Sequence, residues 1–205
     1  MNTNHPLLWV LANIFGEALG MAAVAVGFFL VQQNMAGPEA IAGAGLIEGF
    51  MLGVFQFWAG RKVGLRGTAW VGVTMLAGLV GYGLVGLAMA SHAAPLTDMQ
   101  GIEPVEPALW LIGLLGAGMG LVLGGIFGFV QCWALPRRVP RGRWVWRNAI
   151  GWACGMAIIM VAASTVPEGA GLDVVAVRGL LAGGLAGLCL GLATLGALQV
   201  RQLRF

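Results

Sequence analysis

The stretch that decides the fold is GLIEGFMLGVFQ, residues 45–56, because its pattern occurs twice more in the chain. Residues 120–131 read GLVLGGIFGFVQ, and residues 183–194 read GGLAGLCLGLAT. Each copy has glycines four residues apart, here called a glycine ladder, and a polar residue three positions after the last glycine. The three copies are Gly45, Gly49, Gly53 and Gln56; Gly120, Gly124, Gly128 and Gln131; and Gly183, Gly187, Gly191 and Thr194. A motif that recurs in this way predicts a repeated supersecondary unit.

The composition indicates an integral membrane protein. Of the 205 residues, 59% are hydrophobic and 9% are charged, whereas soluble domains carry about 25% charged residues. Six apolar segments reach the length of about 20 residues that crosses a bilayer core; they are roughly residues 7–31, 39–59, 68–90, 107–135, 147–165 and 174–200. We therefore expect an all-α polytopic protein with six transmembrane helices. Residues 1–205 would form one domain of three helical hairpins, at about 7–59, 68–135 and 144–200, with pseudo-threefold symmetry.

Basic residues are concentrated in one set of connections between these segments. Of the 11 Lys and Arg residues, all but Arg178 fall within residues 61–66, 137–147 and 201–204, while the alternate connections carry Asp and Glu. Because Lys and Arg favour the cytoplasmic side, we expect an inner (cytoplasmic) membrane protein with both termini in the cytoplasm. The basic inner loops should attract anionic lipid. Topology alone explains these charges, so we expect no nucleic-acid partner.

The 8 tryptophans predict an aromatic belt. Trp commonly anchors helices at the two membrane surfaces, where its ring contacts lipid and its N–H contacts water. Trp110 lies near the predicted outer surface, and a larger set lies near the inner one: Trp58, Trp70, Trp133, Trp144 and Trp146. We expect surface anchoring for nearly all eight.

Two of the three copies extend into a longer pattern, G-x3-G-x2-Q-x-W followed by basic residues. Its members are Gly53, Gln56, Trp58 and Arg61, and again Gly128, Gln131, Trp133 and Arg137. The pattern resembles one found in small bacterial polytopic membrane proteins of uncharacterised function. The resemblance extends loosely over the three hairpins and implies no activity. The third copy departs from it, with Thr194 and Gly196 in place of Gln and Trp.

The glycine ladders and their polar ends should lie on one face of each helix, since steps of four and three residues keep side chains aligned. We expect the glycines to pack closely against neighbouring helices. Asn13 and Asn148 occupy matching places in the first and fifth segments, four residues after a Trp. Gln56, Gln131, Thr194 and the two asparagines would form an inner polar cluster. Its role stays open between hydrogen-bonding helices together and lining a ligand or ion site.

Two carboxylic residues, Glu17 and Glu48, occur inside apolar segments of the first hairpin. At 1.5 Å per residue both should lie about 15 Å deep, near the middle of the membrane. No basic residue lies at that depth, so we expect both acids to carry protons for much of the time and, if close, to share one. An acid inside a membrane is a candidate functional site; the alternative is a hydrogen-bonded packing residue.

Motifs for enzymatic chemistry are absent from the sequence. It contains no G-x-S-x-G, no H-E-x-x-H and no phosphate-binding loop with Lys. Cys132, Cys154 and Cys189 all fall in apolar segments, and His5 and His92 fall at opposite faces. We therefore expect no enzyme, no metal site and no cofactor.

The sequence leaves two functions open. In the first, the protein binds or transports a small solute or cation with proton linkage, through Glu17 and Glu48 with Asn13 and Gln56 nearby. In the second, it is a non-catalytic scaffold or accessory subunit of a membrane complex. Either function is compatible with a membrane-protein partner or a homo-oligomer.

Overall fold

The computed structural model describes residues 4–92 and 107–198. Within these ranges the chain is all-helical, with six α-helices and one 3₁₀ turn at Arg61–Val63. The predicted all-α class with six long helices is confirmed. Each α-helix is long and apolar enough to cross a membrane, which is compatible with a multi-pass membrane protein. The helices are α1 Asn4–Gln32, α2 Glu39–Gly60, α3 Gly67–His92, α4 Leu109–Gln131, α5 Arg141–Ser164 and α6 Leu172–Leu198.

The six helices form a closed ring in which each packs on its neighbours in chain order, and α6 packs on α1. The contact between α3 and α4 is the smallest of the six. One end of the bundle, called the basic end, holds residues 61–66 and 132–140; Arg138 Nη2 donates to the Val63 carbonyl there at 2.6 Å. The opposite end, called the far end, holds residues 33–38 and 165–171.

Two predicted segment bounds are wrong, and prolines explain both. The segment predicted at 107–135 is helical only over Leu109–Gln131, and the one predicted at 147–165 begins six residues earlier, at Arg141. Pro136 disfavours helical backbone at the residue before it. Pro140 favours a helix start, because its φ is already helical and the first N–H groups of a helix have no intrahelical acceptor, so the missing N–H is not needed. As a result, Arg141 and Arg147 lie on α5 rather than in a loop, and Arg147 Nη1 donates to the Ala193 carbonyl at 2.7 Å.

The glycine ladders lie where α2 meets α3, α4 meets α5 and α6 meets α1. At the middle glycine of each ladder, the position of an added Cβ falls within contact of a backbone carbonyl on the facing helix. For Gly124 that position is 2.5 Å from the Asn148 oxygen, closer than a real Cβ approaches. The three pairs are Gly49 with Thr74, Gly124 with Asn148, and Gly187 with Asn13.

Candidate functional site

Three buried tryptophans, one each from α1, α3 and α5, meet near the basic end. The ring centroids of Trp9 and Trp144 are 6.1 Å apart, and those of Trp70 and Trp144 are 5.6 Å apart. Each indole N–H donates to the polar residue that ends a glycine ladder. The bonds are Trp9 Nε1 to Thr194 Oγ1 at 2.9 Å, Trp70 Nε1 to Gln56 Oε1 at 3.1 Å, and Trp144 Nε1 to Gln131 Oε1 at 3.2 Å.

This arrangement overturns the expectation of surface anchoring for half of the tryptophans. Trp9, Trp70, Trp144 and Trp152 are at most 2% exposed, whereas Trp58, Trp110, Trp133 and Trp146 are 50–72% exposed. A buried indole needs an acceptor for its N–H. The ladder-end Gln and Thr residues supply that acceptor for the first three, so those indoles have no need of interfacial water.

Side-chain amides and hydroxyls connect these three bonds into one polar network. Gln56 Nε2 donates to Asn13 Oδ1 at 2.9 Å, and Gln131 Nε2 donates to Thr74 Oγ1 at 3.1 Å. Gln131 Nε2 also lies 3.4 Å from Gln56 Oε1. Burying polar side chains costs little free energy when they hydrogen-bond to one another. The network comprises Trp9, Asn13, Gln56, Trp70, Thr74, Gln131, Trp144 and Thr194; Asn148 lies beside it and donates to the Trp144 carbonyl at 3.1 Å.

Glu17 and Glu48 lie further from the basic end than this network. Glu17 follows Asn13 by about one helical turn on α1. Glu17 is 1% exposed and Glu48 is 0% exposed. Gly20 lets α1 approach Glu48 closely, because a Cβ at Gly20 would lie 2.6 Å from the Glu48 Cγ atom. Glu17 and Gly20 are three residues apart on α1 and share a face of that helix, so Glu17 and Glu48 are neighbours where α1 meets α2, and we call them the acid pair.

The acid pair has no hydrogen-bond donor among the residues that the structure describes, for any of its four carboxyl oxygens. The middle turns of the six helices contain no Lys, Arg or His. An ionised carboxylate in such a place costs several kcal/mol, and two adjacent ones also repel each other. A hydrogen bond between the acids needs a proton on at least one of them, because only a protonated carboxyl group donates.

Tyr82 on α3, the one tyrosine in the sequence, contacts the acid pair. Its ring occupies the space left by Gly45, where a Cβ would lie 2.5 Å from the Tyr82 Cδ2 atom. The Tyr82 hydroxyl donates to Met21 Sδ at 3.4 Å. Met21 lies one helical turn beyond Glu17. Tyr82 and Met21 together therefore border the acid pair on the side away from the polar network.

A cavity of about 340 Å³ begins at Tyr82 and Met21 and extends toward the far end. This volume lies within the range of about 300–1,000 Å³ that small-molecule pockets occupy. Most of the lining is apolar, and Arg178 is the charged residue among the described residues that line it. Arg178 Nη1 donates to the Thr165 carbonyl at 2.7 Å, beside the end of α5. The remaining lining comes from α1, α3, α4, α5 and α6, with Phe28, Phe29, Val85, Met119, Met156 and Ala182 among its members.

The structure thus separates the predicted site residues into two groups. Glu17 and Glu48 come together, while Asn13 and Gln56 bond to each other within the polar network. Sequence reasoning did not include Tyr82 or Met21 in the site. It also missed Trp152, whose indole N–H is buried without an acceptor within residues 4–92 and 107–198. The one available signal was that Tyr82 is the sole tyrosine and lies in the middle of an apolar segment.

Among the described residues, the two carboxyl groups are the acidic ligands that this site offers a cation. No group of three or more His, Cys, Asp and Glu side chains is brought together in the described parts of the chain. Cys132, Cys154 and Cys189 are free thiols. The arrangement suits exchange of protons at the acid pair and binding of an apolar molecule in the cavity.

Comparison with known proteins gives no match: no family model, no curated protein and no solved structure is significantly similar to this chain. The site is therefore interpreted from its own geometry.

Proposed function

We propose that the protein binds or transports a small solute or cation with proton linkage, and that Glu17 and Glu48 are the proton-holding residues. One observation carries this proposal: the acid pair is fully buried and its four oxygens lack donors in the described residues. Placing acids in such an environment is costly. A packing role needs no carboxyl group, whereas a proton-linked site does.

We also propose an orientation of the chain in the membrane and a threefold repeat of its helical hairpins. Both termini and the basic end would face the cytoplasm across the inner membrane, in accord with the positions of Lys and Arg. Three hairpins would repeat with pseudo-threefold symmetry. In support, matching glycines face Thr74, Asn148 and Asn13, and matching indoles donate to the ends of the three ladders. In this scheme the first hairpin keeps the common scaffold and adds the two acids, so the site breaks the symmetry.

The polar network and the glycine ladders would have a structural role. In a membrane, small residues let helices approach closely and polar side chains bond across them. The network's described hydrogen bonds join all six helices. We propose no enzymatic activity, no cofactor and no nucleic-acid partner; anionic lipid would bind at the basic end.

One observation favours the alternative of a scaffold or accessory subunit. Helix α4 presents an outward face with Leu114, Val122 and Phe129 each more than 60% exposed. Gly118 and Gly125 lie on this helix, and no atom of another described helix lies within 4 Å of their Cβ positions. Small residues between large apolar ones suit a second membrane helix, from a partner protein or another copy of this chain.

Infrared spectroscopy of the carboxyl groups tests the proton-linked function. Ordinary side-chain carboxyls titrate near pH 3.9–4.3 in model peptides. The parent should therefore show protonated carboxyl absorption that still changes with pH between about pH 5 and about pH 9. Glu17→Gln and Glu48→Gln should each remove part of this signal, since glutamine keeps the size and loses the proton. Glu39→Gln, at an exposed helix end, should leave it intact. If neither buried variant removes a titrating signal, the scaffold function is favoured.

A further inference from the structure

The lining of the cavity restricts what the cavity can bind. Aromatic rings and thioethers dominate it, including Phe28, Phe29, Met119, Met156 and Met160. Such side chains bury an apolar body favourably. The face of an aromatic ring also attracts a cation, and the thioether of methionine adapts its shape to an irregular guest. The cavity therefore suits an apolar molecule, and its rings tolerate a positive charge on that molecule.

The acid pair restricts the charge of the guest. Without a counter-ion, burial favours the neutral pair, with a proton on each acid. Release of one proton leaves one negative charge, which a single positive charge neutralises. An anion would leave a net charge in a low-dielectric site. A dication would need both acids to lose their protons, and two adjacent carboxylates repel each other.

The groups that face the acid pair add no competing positive charge close by. Tyr82 faces it from α3, Gly20 of α1 lies against Glu48, and Gly183 of α6 lies against the Glu17 carbonyl. The nearest charged residue on α6 is Arg178, about 7.5 Å along the helix from Gly183 at 1.5 Å per residue. Its guanidinium group is bonded to the Thr165 carbonyl beside the end of α5, where the helix dipole is negative.

The ligand set disfavours a metal ion. Calcium binds six to eight oxygen ligands. Magnesium requires octahedral geometry and does not readily lose its water ligands. The acid pair has four carboxyl oxygens, and the described residues gather no third acidic, His or Cys side chain beside it. The neighbouring groups are the Tyr82 hydroxyl and the Met21 thioether, followed by an apolar cavity.

We propose that the cavity binds a lipophilic organic monocation, whose charged group reaches the acid pair past Tyr82 and Met21 and displaces one proton to solvent. This solute class rests on the proton-linked function proposed above. The empty site holds two protons on two acids, and the loaded site holds one proton and one cation, so both states are neutral. The Tyr82 and Met21 side chains must separate before the cation can reach the acids. An unbranched methionine side chain moves aside at low cost.

Calorimetry with two quaternary ammonium ions tests the proposal. Benzyltrimethylammonium carries an apolar body, and tetramethylammonium carries the same charge without one. The benzyl ion should bind the purified protein in lipid nanodiscs about tenfold or more tightly, because the cavity buries its ring. Its affinity should rise by up to about tenfold per pH unit below the midpoint at which the empty acid pair loses a proton, and level off above it, because one proton leaves for each cation bound. Titration in buffers of different ionisation enthalpy counts that proton directly.

Substitutions of the two acids test whether the released proton comes from the acid pair. The double variant Glu17→Gln with Glu48→Gln should abolish proton release, because no acid remains to lose a proton, and Glu39→Gln should behave as the parent. Thermal melting of each variant checks that the bundle is folded. Proton release is also measured in the parent, so that result does not depend on the folding of any variant. Sodium chloride in place of the organic ions should release no proton.

Any of three results would contradict the proposed solute class. They are binding without proton release, equal affinity for the two ammonium ions, and no binding of the benzyl ion. The infrared titration separates this failure from that of the proposed function. If the Glu17 and Glu48 signals still titrate while the benzyl ion fails, only the solute class is wrong. If those signals are absent as well, the proton-linked function fails too.

Discussion

Replacing Gly124 with leucine should destabilise the bundle, because this glycine lies in a close contact between α4 and α5. A Cβ at position 124 would be 2.5 Å from the Asn148 carbonyl oxygen and 2.7 Å from the Trp152 Cβ atom. The obstacles are backbone or near-backbone atoms, which no rotamer change removes. The two helices must therefore separate, and the remaining leucine atoms enlarge that separation.

The size of the effect follows from the cost of overpacking, about 1–3 kcal/mol. For a chain of 150–250 residues, each kcal/mol lowers the melting temperature by about 2–4 °C. We therefore expect Gly124→Leu to melt about 2–12 °C below the parent. Gly125→Leu is the matched control, since no atom of another described helix lies within 4 Å of its Cβ position. Leucine at position 125 even gains helix propensity, worth at most about 1 kcal/mol.

The assay is thermal unfolding in one detergent, followed by circular dichroism or by aggregation, with the parent and both variants prepared in parallel. Comparison with Gly125→Leu removes the contributions of helix propensity and detergent binding. Equal melting of Gly124→Leu and Gly125→Leu would refute the close contact between α4 and α5, and with it the proposed role of the glycine ladders.

Two further predictions concern the polar network and the orientation. Trp70→Phe removes the donor to Gln56 and should cost about 1–3 kcal/mol, measured as a lower melting temperature; Trp58→Phe, at a side chain that is 50% exposed, should change stability by at most about 0.5 kcal/mol. Equal effects would mean that the indole hydrogen bond contributes nothing. In protein whose native cysteines are replaced, Glu168→Cys should react with an impermeant thiol reagent from outside sealed cells and Arg137→Cys only after the membrane is opened. The reverse pattern would invert the proposed topology.

Sequence patterns predicted the helical class well because composition and segment length alone determine whether a helix can cross a bilayer. Helix ends were less accurate. The end of α4 and the start of α5 depend on Pro136 and Pro140, and an apolar run such as Trp133–Leu135 continues past the last helical residue. Hydropathy does not detect that the helix has already ended ahead of Pro136.

The site was only partly predictable, since single-helix geometry does not specify contacts between helices. Depth placed Glu17 and Glu48 at similar levels, but their contact depends on how α1 and α2 cross at Gly20. Asn13 and Gln56 were grouped with the acids by depth, yet they bond to each other. Tyr82 reaches the acid pair because Gly45 leaves room for its ring, a relation between two residues far apart in sequence. The burial of Trp9, Trp70 and Trp144 likewise depends on acceptors from other helices.

The most direct test of the central claim, that Glu17 and Glu48 act as one proton-holding pair, is the infrared titration of one acid with and without the other. The Glu48 signal is followed in the parent and in Glu17→Gln, with Glu39→Gln as the control. Because interacting acids titrate as a pair, the Glu48 midpoint should move by at least about one pH unit in Glu17→Gln and stay in place in Glu39→Gln. An unchanged Glu48 midpoint in Glu17→Gln would show two independent acids and contradict the account.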